Sequence, residues 1–193
     1  MIEPVMEPLS IVLIAGSSGS FSLFEKILSQ LRSPLSFALI FILHRGKSSK
    51  NALPDLFKNK TNVVMKEPYH LDPILPDCIY FPFPDYHLLV GPDSRFYCDR
   101  SDRDFFSRPS IDATFVSAAV SGIPVRAAML FSGSNADGAE GLALLADKGY
   151  ATYIQDPATA EFPRMPAAAL VRCDKHILLK QENFFEAVNG ILS

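Results

Sequence analysis

The sequence predicts an α/β fold: a doubly wound, mostly parallel sheet with helices on both faces and a small antiparallel hairpin. Three observations carry that expectation. Several short runs are apolar at every position, as strands buried on both faces of a parallel sheet must be. These runs alternate with segments whose apolar residues recur at helical spacing. Between residues 78 and 98, two further runs flank a Gly-Pro turn, the pattern of a hairpin.

The first unit is Ile11 to Ser20, IVLIAGSSGS. Ile11-Val12-Leu13-Ile14 reads as a buried strand and Gly16-Ser17-Ser18-Gly19-Ser20 as a small-residue turn. Phe21, Phe24, Ile27, Leu28 and Leu31 then recur on one face of a helix. Phe37 to Leu43 is the next continuous apolar run. It stops at His44-Arg45-Gly46 and completes a βαβ unit. Lys47 to Lys60 begins polar and then carries Leu53, Leu56 and Phe57 in a short helix; Val63-Val64-Met65 reads as a strand.

Cys78 to Phe81, His87 to Val90 and Arg95 to Cys98 read as short strands, the last two joined across Gly91-Pro92-Asp93. Asp99 to Arg108 is charged and reads as a solvated loop. Pro109-Ser110 opens an amphipathic helix over 111–121, and Val125 to Phe131 is a third strong strand. That strand ends in Ser132-Gly133-Ser134-Asn135-Ala136-Asp137-Gly138, before a helix that turns Leu142, Leu145 and Ala146 inward and stops at Gly149. Ala151 to Gln155 is a further strand. Pro163 to Pro166 reads as a broken segment, Ile177-Leu178-Leu179 as a short apolar run, and Asn183 to Leu192 as a closing helix.

A chain of 193 residues is expected to form one domain over 1–193. With 48% hydrophobic and 20% charged residues it is a globular chain rather than a disordered one. A net charge of -3 and the lack of a long basic run give no reason to expect nucleic acid. No apolar run approaches the ~20 residues of a spanning helix, and Met1 to Glu7 lacks a basic n-region. A cytoplasmic location without membrane insertion is the expectation. Cys78, Cys98 and Cys173 form no C-x-x-C pair, so neither a disulfide framework nor a metal centre is expected, and no cofactor is called for.

Three strand ends carry Ser17, His44 and Asp137, and in open α/β sheets ligands bind at that edge. A serine hydroxyl becomes a nucleophile when a base takes its proton. Imidazole does this near neutral pH, and a carboxylate on its far nitrogen fixes the tautomer and stabilises the cation. Each residue also has a plainer use: Ser17 in a turn or phosphate cradle, His44 as a packed residue, Asp137 as the N-cap of the next helix. His70 and His176 are expected to face solvent, and His87 opens a strand. The order serine, histidine, aspartate and the missing G-x-S-x-G argue against the common α/β-hydrolase fold. A nucleotide-binding module is the alternative, although G-x-G-x-x-G is absent and His44 stands where an acidic ribose ligand would.

The motifs together resemble those of a known family. Its G-A-S-T-G-G stands here as Ala15-Gly16-Ser17-Ser18-Gly19-Ser20, its Q-H-M-P as Leu43-His44-Arg45-Gly46, and its P-G-x-x-H as Pro84-Asp85-Tyr86-His87. Its R-P-S-V-D is nearly intact in Arg108-Pro109-Ser110-Ile111-Asp112, and T-G-M-G-x-D-G-A stands as Ser132 to Ala139. Gln155-Asp156 and Met165-Pro166 match later elements. Over residues 10–180 the chain resembles the catalytic domain of the CheB-type chemotaxis protein-glutamate methylesterases.

The resemblance implies a serine esterase that removes methyl groups from glutamyl esters on methylated chemoreceptor cytoplasmic helices; members of that family often also deamidate particular receptor glutamines. By the same implication Ser17 attacks, His44 relays the proton and Asp137 orients His44. Backbone N–H groups of Ser18 and Ser134 hold the oxyanion, and His87 and Met165 line the substrate cleft. The family's usual N-terminal receiver domain is not expected within this chain, which leaves three alternatives: no regulation by that route, control by a separate receiver or another chemotaxis protein, or recruitment by other means. Three positions depart from the pattern. Ser20 replaces a glycine, where a Cβ is expected to restrict close approach or a left-handed backbone. Arg45-Gly46 replaces Met-Pro, which brings a charge beside His44, and Asn135 replaces a glycine. A catalytically silent relative that binds receptors is the alternative these departures leave open.

Overall fold

The computed structural model describes residues 8–44, 52–102 and 107–192. Its central strands are runs with no polar side chain to place in water. β1 (Ile11–Gly16) and β2 (Ala38–Leu43) are buried at every position, and β7 (Val125–Leu130) at all but Arg126. They share a seven-stranded sheet with β3 (Val64–Lys66), β4 (Cys78–Tyr80), β8 (Thr152–Gln155) and β9 (Ile177–Leu179). The order is β3-β4-β2-β1-β7-β8-β9, and every pairing is parallel. The remaining strands, β5 (His87–Val90) and β6 (Phe96–Asp99), form the antiparallel hairpin.

Strand order reverses at β1, which pairs with β2 on one side and β7 on the other. The crevice outside the carboxyl ends of these three strands is the topological switch point. It is where the residues after β1, β2 and β7 converge.

Alternate β1 side chains feed two cores, as the period of a strand requires. Ile11, Leu13 and Ala15 pack with α3 (Ile111–Val120), α4 (Ala139–Asp147) and α5 (Arg164–Arg172). Val12 and Ile14 pack with α1 (Phe21–Gln30), α2 (Leu53–Phe57) and α6 (Phe184–Leu192). The second core is built on rings: Phe24 lies 4.9 Å from Phe41 and 6.1 Å from Phe131, which in turn lies 5.3 Å from Phe184. Each such pair contributes about 0.5–1.5 kcal/mol beyond its buried area, which accounts for the abundance of phenylalanine.

Several expectations are corrected by the fold. The segment at Pro163–Pro166 is not broken. Pro163 is the N-cap of α5 and Pro166 lies in its first turn, where an N–H has no helical partner to lose. His176 is buried rather than solvated, with Nδ1 2.8 Å from Thr152 Oγ1, and burial lowers its pKa. Arg108 is not a loop residue in water: its guanidinium lies 3.0 Å from the Asp85 carboxylate with the side chain 11% exposed. Arg45 and Gly46 lie outside the described residues. Among the described residues, no helix is long and apolar enough to cross a membrane.

Candidate active site

The turn after β1 is latched to the end of β7. Ser17 N–H donates to the Ser132 carbonyl at 2.8 Å, Ser20 N–H to the Ser17 carbonyl at 3.0 Å, and Ser132 Oγ to the Ser18 carbonyl at 2.7 Å. Two of the turn's amides are therefore engaged internally, and among the described residues those of Ser18 and Gly19 are left without an acceptor. Gly19 has φ +80°, and a Cβ there would stand 2.6 Å from Ser132 Oγ, so this position requires glycine. Ser20 does not. Its φ is -94°, and the restriction expected of its Cβ does not arise.

Room for Ser20 comes from Gly16, where a Cβ would collide with Ser20 Oγ. The buried Ser20 hydroxyl donates to the Ser132 carbonyl at 2.6 Å. Ser20→Ala is expected to lower stability by about 1 kcal/mol, the net worth of one such bond, in urea unfolding. An unchanged midpoint would show that the bond contributes nothing.

His44 follows β2, and its N–H donates to the Gly16 carbonyl at 3.3 Å, extending the β1–β2 register to the strand ends. His44 Nε2 lies 2.8 Å from Asp137 Oδ2, with the side chains 8% and 0% exposed. Asp137 does not cap its own helix. Gly138, at φ +94°, holds the N-cap of α4. The Asp137 carboxylate caps α3 instead: Oδ2 accepts from Ile111 N–H at 2.8 Å, and Oδ1 from Asp112 N–H at 2.9 Å and Ser110 Oγ at 3.1 Å. These are first-turn amides without intrahelical partners, at the end of the helix dipole that favours an anion.

Burial pushes the Asp137 carboxyl up, but the His44 hydrogen bond and the Asp112 and Ile111 amides outweigh it and hold it below the usual carboxylate range. An ionised Asp137 accepts from Nε2–H, so the neutral imidazole carries its proton on Nε2 and its lone pair on Nδ1. That Nδ1 faces Ser107 Oγ at 3.3 Å.

The structure thus brings His44 and Asp137 into contact. Ser17 stands at the adjoining strand end, half-buried, and its hydroxyl makes no hydrogen bond among the described residues, to His44 or otherwise. The amides of Ser18 and Ser134, both exposed, donate to no acceptor among the described residues. Asn135 does not use the left-handed region that glycine would open; its Oδ1 accepts Asp137 N–H at 3.2 Å.

His87 is buried beneath the 107–110 segment, its Nδ1 accepting from Ser110 N–H at 3.1 Å and its Nε2 3.1 Å from the Asp102 carbonyl. Met165 is buried against Gly133, where a Cβ would stand 2.6 Å from its sulfur. Both side chains are buried, so neither presents the open cleft wall expected of it. Among the described residues no group of His, Cys, Asp and Glu is placed to hold a metal ion.

Three residues of the site escaped the sequence reading: Ser107 at Nδ1, Ser110 between α3 and Asp137, and Asp112. The signal for Ser110 was present, since it is the N-cap of α3 and accepts from Ala113 N–H at 3.1 Å. Asp112 Oδ1 accepts from Gly141 N–H at 2.7 Å. Burial, joined by the charge of Asp137, pushes its carboxyl from an ordinary 3.8 up to about 6.

The two carboxyls act oppositely on stability. A raised carboxyl holds its proton more tightly in the folded chain, so its contribution is full below 3.8 and is lost as pH rises through about 6. The lowered Asp137 contributes above 3.8 and loses that contribution as pH falls through its folded value. Urea unfolding should show the wild type losing stability relative to Asp112→Asn as pH rises through about 6. Parallel curves for the two proteins would contradict this.

Comparison with known proteins follows the same lines. The family model described as CheB methylesterase matches residues 12–186. A Leptospira interrogans protein named for protein-glutamate methylesterase and protein-glutamine glutaminase activities is 29% identical over 175 residues, 91% of each chain. The protein-glutamate methylesterase FrzG of Myxococcus xanthus is 27% identical over 89% of this chain and 52% of its own length. The crystal structure of the Thermotoga maritima CheB methylesterase catalytic domain superposes with a TM-score of 0.83 at 19% identity, covering 94% of this chain and 96% of that one. Matched over most of its length by the family model and folded like that catalytic domain, the chain belongs to the CheB methylesterase family.

Proposed function

We propose that the protein is a cytoplasmic serine hydrolase of protein-glutamate methyl esters, acting on methylated chemoreceptor cytoplasmic helices and on receptor glutamine amides. The observation that carries this reading is the buried His44–Asp137 pair at the switch point, which leaves the Nδ1 lone pair facing a serine hydroxyl, that of Ser107. The names of the relatives supply the substrate class.

In the reaction, Ser17 Oγ attacks the ester carbonyl while His44 Nδ1 takes its proton, and Asp137 stabilises the imidazolium. Ser17 takes the place of Ser107 at Nδ1 in the reactive complex. The carbonyl oxygen, now an anion, is held by the Ser18 and Ser134 amides, each such donor being worth ~3 kcal/mol in the transition state. His44 then protonates the departing methoxide, which leaves as methanol. Water, activated by the same nitrogen, hydrolyses the acyl-enzyme to the glutamate. A glutamine side chain follows the same path and releases ammonia.

The test is methanol release from a methylated receptor fragment. Release that saturates with substrate is expected; a rate no greater than without protein would overturn the reading.

A further inference from the structure

We propose that Asp112 is a positioning residue for this chemistry, locking α3 and α4 together so that the Asp137 carboxylate is held on His44. The proposal rests on the reading of the His44–Asp137 pair as the acid–base device. It starts from a reciprocal exchange of helix caps. Asp137, just ahead of α4, places its carboxylate on the Ile111 and Asp112 amides of α3. Asp112, in the first turn of α3, places its carboxylate on the Gly141 amide of α4. Beside its own N-cap, each helix start has first-turn amides held by a carboxylate from the other helix or the residues leading into it.

The exchange closes a short ring. Asp112 gives its N–H to Asp137 Oδ1 at 2.9 Å and takes the N–H of Gly141 at 2.7 Å, four residues beyond Asp137. One residue therefore fixes both the carboxylate and the helix that follows it. Two glycines make the approach possible. A Cβ on Gly141 would stand 2.5 Å from Phe115 Cβ and 3.2 Å from the Asp112 carboxylate. A Cβ on Gly138 would stand 2.7 Å from Ile111 Cγ2.

The exchange goes beyond ordinary helix packing because both carboxylates are directed at amides that nothing else satisfies. The charge facing Asp112 is Asp137 itself. The ionisable groups on the neighbouring elements are engaged elsewhere: Glu140 of α4 with Arg172 of α5 at 2.7 Å, His44 with Asp137, and His87 of β5 with the Ser110 amide. Asp112 is thus a half-buried carboxyl that titrates against the same hydrogen-bond system that holds the base.

Asp112→Ala and Asp112→Asn decide the matter, read by ester turnover and by the low-field proton resonance of the His44 Nε2–H bond to Asp137. Asp112→Ala is expected to lower kcat by about 10²-fold with KM unchanged, the cost of a small displacement at a catalytic group. Its His44 resonance should shift or broaden. Asp112→Asn, whose amide oxygen can accept the same N–H, should restore both. A folded alanine variant with wild-type kcat and resonance overturns the proposal, as does an asparagine variant as slow as alanine.

If the alanine variant does not fold, the wild-type and asparagine proteins still decide. The wild-type resonance should show a pH dependence near 6 that the asparagine protein lacks, over and above whatever the two proteins share. Identical titrations overturn the proposal. The resonance does not depend on turnover, so an inert wild-type protein would refute the esterase reading while leaving this test intact.

Discussion

Ser17→Ala is expected to lower methyl-ester turnover by about 10⁶-fold, the scale on which a serine hydrolase falls when its nucleophile is removed. The remaining hydrolysis would reflect the oxyanion amides and substrate binding, which the substitution leaves in place. Ser107→Ala is the necessary companion, because Ser107 Oγ rather than Ser17 Oγ lies within hydrogen-bond distance of His44 Nδ1. Its loss leaves the ring anchored through Nε2 on Asp137, so turnover should fall far less than in Ser17→Ala. Methanol release by the two variants is the measurement. A large drop that follows Ser107 and spares Ser17 would reverse the assignment of the nucleophile.

Asp137→Asn is expected to cost ~10⁴-fold in kcat, as loss of the orienting carboxylate does in a serine–histidine–aspartate system. Here the reason can be followed atom by atom. Asp137 accepts from four donors: His44 Nε2, the Ile111 and Asp112 amides, and Ser110 Oγ. An asparagine side chain has one acceptor oxygen and must turn its NH₂ toward some of them. If the NH₂ faces His44, the imidazole must carry its proton on Nδ1, and the base that would receive the serine proton is lost. If it faces α3, buried amides go unsatisfied, at about 1–3 kcal/mol each. Because Oδ2 serves both His44 and the Ile111 amide while Oδ1 serves the Asp112 amide, either orientation leaves an amide of α3 unsatisfied, and urea unfolding reads that loss. Retained kcat would mean that Asp137 serves α3 alone.

Much of this was legible in the sequence because the physics concerned is local. Ile11–Ile14 and Phe37–Leu43 contain no residue that water would stabilise, and such runs are buried from both sides wherever the chain goes. Gly19 announces a turn, and Ser110 announces a helix start, by chemistry that needs only neighbours in sequence. The positions of Ser17, His44 and Asp137 at strand ends follow from the strands themselves.

The misreadings share a different cause. Pro166 looks like a breaker until its place in the first turn of α5 is known. Arg108 and His176 look solvated until Asp85 and Thr152 are brought beside them. Ser20 looks misplaced until Gly16 is seen to leave it room. In the last three the deciding partner is a contact that hydrophobic periodicity does not encode.

Local patterning along the chain dictates the layers, the strand ends and the residue types that could do acid–base chemistry there. The tertiary structure alone decided which nitrogen of His44 faces Asp137, that Ser107 stands at the other, and that α3 and α4 cap each other through Asp137 and Asp112. The physical reason is range. Burial and turn preferences act on each segment separately, whereas a hydrogen bond exists only when two groups far apart in the chain meet within about 3 Å and in line.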